Sequence, residues 1–123
     1  MYKQLIVETK TIIEEITNIY KQVGVERIIL FGSQAYGIPT SDSDIDLIIV
    51  VPYDKIPSTH REKMDIYLYY NQFIKKYKKI IPIDLIVYTI PAFNKFKELN
   101  SSFSQEVINK GIILYEANNK GVA

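Results

Sequence analysis

Cysteine and tryptophan are both missing from the 123 residues, and histidine occurs once, at His60. Without cysteine there is no disulfide framework and no thiolate zinc site, so a reducing, cytoplasmic setting is expected. A single histidine excludes any multi-histidine metal centre. Neither sign of charge is in excess: 15 Lys and Arg against 14 Asp and Glu leave a formal net charge of +1. This balance excludes a polybasic coat and an acidic tail, and direct nucleic-acid binding is not expected. Long apolar runs are also lacking. The stretch Leu47–Val51 is far below the about 20 residues that a bilayer demands, and Met1–Lys10 has no hydrophobic block of the signal-peptide kind. No membrane partner is expected, and no internal repeat or low-complexity tract is visible.

What is present is ordinary globular material, 47% hydrophobic and 24% charged. The length suits one domain, residues 1–123, large enough to bury a core. Apolar residues from Leu5 to Val23 fall on a helical stripe that ends at Gly24. Arg27–Phe31 reads as a buried strand, Gln34–Gly37 as a short helical turn, and Ile38–Ser43 as a polar loop. Asp44–Val51 reads as a second strand, apolar on both faces at its end and therefore central. Ser58 or Thr59 can cap a helix running to about Lys79, with Met64, Tyr67, Leu68, Phe73 and Ile74 towards the core. Ile80–Thr89 reads as a third strand entered through Pro82, and Pro91–Ser102 stays undecided. Phe103–Lys110 reads as a helix capped by Gly111, Ile112–Tyr115 as a last strand, and Asn118–Ala123 as a frayed end. Helices alternating with strands predict a mixed α/β (α+β) fold, a small sheet flanked by helices.

The informative stretch is Leu30–Val50, LFGSQAYGIPTSDSDIDLIIV. Asp44 and Asp46 are two residues apart at the start of a strand, so both carboxylates project from one face. Like charges that close are unfavourable unless a cation lies between them, and Mg²⁺ takes carboxylate and phosphate oxygens. The alternative is a pair of solvated acids at a strand's start. Asp84 lies in the apolar run IIPIDLIVY, where a bare carboxylate is costly. It can join the same face from a neighbouring strand, or it can be an edge-strand acid reaching water or pairing with Lys79. Asp42 is expected to be solvated. Gly32-Ser33 follows a strand, where a glycine backbone and a serine hydroxyl can hold a phosphate; alone, such a pair is also an ordinary turn. Lys75, Lys76, Lys78 and Lys79 form a basic cluster that can hold RNA or an acidic partner, or can be a solvated helix end. Tyr67 and Tyr70 are expected near the core, and Tyr69 and Tyr77 outward. His60 is expected to be exposed.

Gly32-Ser33, ten residues, then Asp44-Ile45-Asp46 resembles the GS-x10-DxD signature of the DNA polymerase β-like nucleotidyltransferases. The wider text GSQAYG…SDSDIDLIIV, with Asp84 after a long helix and the closing VINKGIILYE, resembles the small minimal nucleotidyltransferases over nearly the whole chain. Gln34 departs from that pattern, since many relatives have a basic residue there. The resemblance implies the polymerase β-like fold and an Mg²⁺-dependent enzyme. Two Mg²⁺ ions would be held by Asp44, Asp46 and Asp84, which are also the catalytic residues. Gly32 and Ser33 would hold the β- and γ-phosphates of the substrate ATP.

Proteins of this kind are often paired with a HEPN-domain RNase toxin. The resemblance therefore implies an antitoxin, a protein adenylyltransferase that moves AMP from ATP onto a toxin tyrosine, alone or in an oligomer. No further helical domain that could build an acceptor pocket is visible, which also suits a protein acceptor. The other readings are a small-molecule transferase of the aminoglycoside type and an antitoxin that binds without chemistry.

Overall fold

The computed structural model describes residues 2–37 and 44–117, with the side chains of the first helical turns omitted before Glu8. The expected polar loop Ile38–Ser43, with Asp42, and the expected frayed end Asn118–Ala123 lie outside the described residues.

Helix α1 (Tyr2–Val23) buries Ile12, Ile16 and Tyr20, four residues apart, on the stripe that the periodicity predicts. It stops at Gly24, whose φ of 101° is open to glycine at little cost. Strand β1 (Arg27–Phe31) follows, then a single helical turn, α2 (Ser33–Tyr36). Strand β2 (Ile45–Val51) begins one residue later than expected. Helix α3 (His60–Asn71) is capped by Thr59, whose Oγ1 accepts from the Glu62 N–H. The Glu62 carboxylate in turn accepts from the Ser58 N–H at 2.8 Å.

The helix expected to reach Lys79 does not run through. It tightens into a 3₁₀ turn at Gln72–Ile74 and resumes as α4 (Lys75–Lys78). That change of pitch reorients the residues that follow it, Tyr77 among them, and leaves α3 itself as it was. Met64 and Leu68, expected in the core, are 40% and 53% exposed, whereas Tyr70 and Ile74 are buried and Tyr67 and Phe73 half-buried. Tyr77, expected outward, is only 5% exposed and donates from its hydroxyl to Glu15 on α1 at 2.8 Å.

Strand β3 (Ile83–Thr89) runs directly into α5 (Ile90–Leu99). Thr89 is both the last strand residue and the helix cap, its Oγ1 accepting from the Ala92 N–H. The undecided stretch from Pro91 is therefore helix, because proline is accepted in the first turn, where its missing N–H leaves no bond unmade. Helix α6 (Ser102–Lys110) and strand β4 (Ile112–Glu116) complete the described chain.

The four strands form one mixed sheet in the order β3-β2-β1-β4, with β2 and β3 parallel and the other pairs antiparallel. Strand β2 is interior and almost wholly buried, as its double-faced apolar run predicts. One face of the sheet (Ile28, Leu30, Leu47, Ile49) packs on α1, α3 and the 3₁₀ turn. The other (Ile29, Phe31, Ile48, Val50) packs on Phe93, Phe96 and Val107 of α5 and α6. Helices on both faces of a small mixed sheet are the architecture expected from the sequence. Among the described residues no helix is long and apolar enough to cross a membrane.

Candidate active site

The site forms where the parallel strands β2 and β3 begin. Asp46 and Asp84 are each the second residue of their strand and are register partners. Side chains alternate across a strand, so both carboxylates leave the face that also carries Ile48 and Ile86. The two carboxyls are close enough to hydrogen-bond when Asp46 holds its proton. Burial, that hydrogen bond, and the negative charges of Asp84 and Asp44 together push the Asp46 carboxyl up to about 6.

Asp84 is itself exposed, because β3 is an edge strand. The apolar sequence around it comes from β3 packing onto helices, while the acid reaches solvent, so its burial cost is avoided. Asp44 precedes β2, is half-buried, and is near enough for its charge to act on Asp46. Among the described residues, however, no three acidic or histidine side chains are drawn into a closed metal cage. The strands bring two of the expected acids together, and Asp44 stands beside them. An open pair of carboxylates suits Mg²⁺, which commonly takes one or two carboxylates and completes its shell with water and substrate phosphate oxygens. Two carboxylates this close are also the electrostatic condition that a divalent cation relieves.

Gly32 follows β1 directly, and β1 ends opposite Asp46 through the register pair Phe31 and Asp46. Its φ is 74°, and a Cβ built there would lie 2.1 Å from Asp46 Oδ2. Only glycine lets the backbone approach the carboxylate this closely. The Gly32 carbonyl accepts from the Ala35 and Tyr36 N–H groups, which folds Ser33 into the first position of α2 beside the acids. Ser33 is half-buried there.

Residues that sequence reasoning did not assign complete the surroundings. The Tyr36 hydroxyl donates to Glu106 of α6, receives the Gly32 N–H, and feels the Asp46 charge. Its own ionisation is pushed up by burial first and by the Glu106 bond second. A cavity of about 520 Å³ opens beside Asp46 and Asp84 and is also lined by Phe31, Phe103, Tyr67 and Lys78. Lys78 Nζ donates to the Tyr67 hydroxyl at 3.2 Å. Neither tyrosine carries a motif signal, since their roles arise from packing between elements distant in sequence.

A model of the nucleotidyltransferase domain matches residues 10–114, which takes in the glycine turn and all three acids. The chain belongs to the nucleotidyltransferase domain family. Within it, a Methanocaldococcus jannaschii protein named "putative protein adenylyltransferase" is 36% identical over 93 residues, covering 74% of this chain and 79% of the relative. A "putative nucleotidyltransferase" from Sulfolobus solfataricus shares the nucleotidyltransferase fold, with a TM-score of 0.53 at 19% identity over 94% of this chain and 84% of that one. A toxin–antitoxin crystal structure with AMP-PNP is a looser match: its TM-score is 0.47 at 17% identity, over 76% of this chain, which spans 63% of the length of that one.

Proposed function

We propose that this nucleotidyltransferase transfers AMP from ATP to a tyrosine hydroxyl of a HEPN-family RNase toxin and thereby silences it. The observation that carries the transfer is the Asp46–Asp84 pair, register partners at one strand end with the Gly32 backbone hard against Asp46. The 36% identity to a protein named as a protein adenylyltransferase favours a protein acceptor. The HEPN identity rests on the resemblance drawn from GSQAYG…SDSDIDLIIV.

In this reading Gly32 and Ser33 bind the β- and γ-phosphates through backbone N–H and hydroxyl. Asp44, Asp46 and Asp84 would hold two Mg²⁺ ions, whose chemistry is to neutralise charge on the attacking and leaving oxygens. The tyrosine oxygen bonds to the α-phosphorus. The bond between that phosphorus and the α,β-bridging oxygen breaks, and pyrophosphate leaves with the electron pair. Asp84, the exposed member of the pair, takes the phenolic proton, and Asp46 keeps it oriented through their shared register. The product carries a bulky anionic group, which can block a phosphate-binding RNase site by charge and size.

The test is to incubate a HEPN partner with the protein, Mg²⁺ and each of the four nucleoside triphosphates, and to weigh it intact. AMP added to a tyrosine, and lost with Asp46→Asn, is the expected result. A partner that is inhibited but unmodified would make the protein a binder, and modification of an added aminoglycoside instead would make it a small-molecule enzyme.

A further inference from the structure

The glycine turn carries no cation of its own. No lysine or arginine occurs between Arg27 and Lys55. Gln34 stands where many relatives have a basic residue. The charged groups about the turn are acids: Asp44, Asp46 and Asp84, with Glu106 of α6 at the Tyr36 hydroxyl. A nucleoside triphosphate brings about four more negative charges, and two Mg²⁺ ions offset about four. The carboxylates would then leave the phosphates in a negative field.

A lysine reaches the turn from the end of α6. Strand β4 pairs antiparallel with β1, and Leu30 is the register partner of Ile112. Continued by two residues, that register brings Lys110 level with Gly32. The approach of the two segments is close, since a Cβ on Gly111 would lie 3.4 Å from the Leu30 carbonyl oxygen. Lys110 Nζ stands 5.8 Å from the centre of the Tyr36 ring, so the ammonium rests on the helical turn that begins with Ser33. Glu106 lies four residues before Lys110, a spacing at which the two could pair. It accepts instead from the Tyr36 hydroxyl, and among the described residues no carboxylate is within ion-pair distance of Lys110. Lys110 is exposed and open to a ligand. Lys78, which lines the cavity at the acids, is less well placed. It precedes β3, which β2 separates from β1, and its Nζ already donates to the Tyr67 hydroxyl.

We infer that the Lys110 ammonium is a ligand of the nucleotide's β- and γ-phosphates, supplying from α6 the cation that the glycine turn lacks. The inference rests on the proposed placement of those phosphates at Gly32 and Ser33 and deepens it. An ammonium is a compact donor on a flexible stem, so Lys110 can leave the Tyr36 ring for a phosphate oxygen without moving the backbone. The bond is charge-assisted and acts on the end of the nucleotide that departs as pyrophosphate.

The experiment is titration calorimetry of the whole chain with Mg²⁺ and one of three probes: AMP-PNP, pyrophosphate or AMP. Lys110→Gln should weaken AMP-PNP and pyrophosphate about ten-fold or more and leave AMP unchanged, and Lys110→Arg should recover most of the loss. Lys97→Gln removes the same charge at the other end of β1, beside Arg27, and should change none of the three. Unchanged AMP-PNP binding in Lys110→Gln overturns the inference. So does an equal loss for AMP, or an equal loss in Lys97→Gln, which would mark the effect as bulk charge. A lowered melting temperature with unchanged binding would make Lys110 a residue that only closes the last turn of α6, and overturns it too. Amine acylation read by mass spectrometry tests the wild type directly: Mg²⁺ and pyrophosphate should shield Lys110 and not Lys97, and equal labelling of Lys110 with and without them overturns the contact. A wild type that binds neither AMP-PNP nor pyrophosphate fails the nucleotide reading itself and the inference with it. Binding that depends on Lys110, with no AMP transferred to a partner, fails only the acceptor reading and leaves Lys110 as the phosphate ligand.

Discussion

The Asp46 carboxylate occupies the space that a side chain at position 32 would need: Oδ2 lies 2.1 Å from the place of a Cβ on Gly32. The glycine turn and the acidic strand are thus one device, although Gly32 and Asp46 are fourteen positions apart in the sequence. Gly32→Ala should push Asp46 away from Asp84 and strain a backbone at φ 74° by roughly 1–2 kcal/mol. The expected outcome is a modest fall in melting temperature with loss of nearly all transfer. Full activity in the alanine variant would show that the turn can relax.

The acid pair makes stability depend on pH in an unusual direction. The Asp46 carboxyl titrates near 6 in the folded protein against an ordinary 3.8, so the native state holds its proton more tightly than the unfolded chain does. Its contribution is therefore fully present below about pH 4 and is lost as pH rises through about 6. Without divalent cations, the component of stability that disappears in Asp46→Asn should decline between pH 4 and 7. Adding Mg²⁺ at pH 7 should restore it. Thermal melts across that range, with and without Mg²⁺, check both statements.

Asp84→Asn tests whether that acid serves chemistry or the fold. Asp84 is exposed and adds its charge to that of Asp46, so amidation should leave the melting temperature equal or higher while abolishing transfer. An unfolded variant would make Asp84 a structural residue.

The basic cluster of α4 surrounds a buried anchor. Tyr77→Ala removes a buried ring and its bond to Glu15, and it should cost about 3 kcal/mol or more. Lys76→Ala, one residue away and exposed, should change stability by no more than about 0.5 kcal/mol. Denaturant melts of the two variants decide this.

Much of this was legible in the sequence because local signals and tertiary packing agree there. β1 was bounded to the residue, and β2 to within one, because branched apolar residues are followed by an abrupt glycine or flanked by acids. The spacing of Gly32-Ser33 and of Asp44 and Asp46 is visible in the sequence, but by itself it also fits a plain turn and two solvated acids, and the resemblance to the nucleotidyltransferases is what joins them into one site. The failures have separate causes. Pro91–Ser102 stays undecided in the sequence, although Thr89 ahead of it makes Pro91 a first-turn residue of α5. The stripe of α3 was extrapolated past Asn71 at a constant 3.6 residues per turn, and the 3₁₀ turn that swings Tyr77 inward carries no residue signal. Asp84 lies in the apolar strand that the sequence indicates and beside Asp46, as one reading allows, but that the strand is an edge is decided by sheet order, which periodicity does not report. Tyr36 and Glu106 meet across 70 residues, a contact that only the folded chain defines.

Thr89 belongs to β3 and α5 at once, with no loop between them. Sliding β3 by one residue along β2 would move Asp84 onto the face packed by α1 and α3 and Leu85 onto the face packed by α5 and α6, and it would also pull the cap out of α5. The helix therefore acts as a latch on strand registry. The alignment of two acids at one end of the sheet is held from the other end, five residues away, by a threonine that touches no substrate.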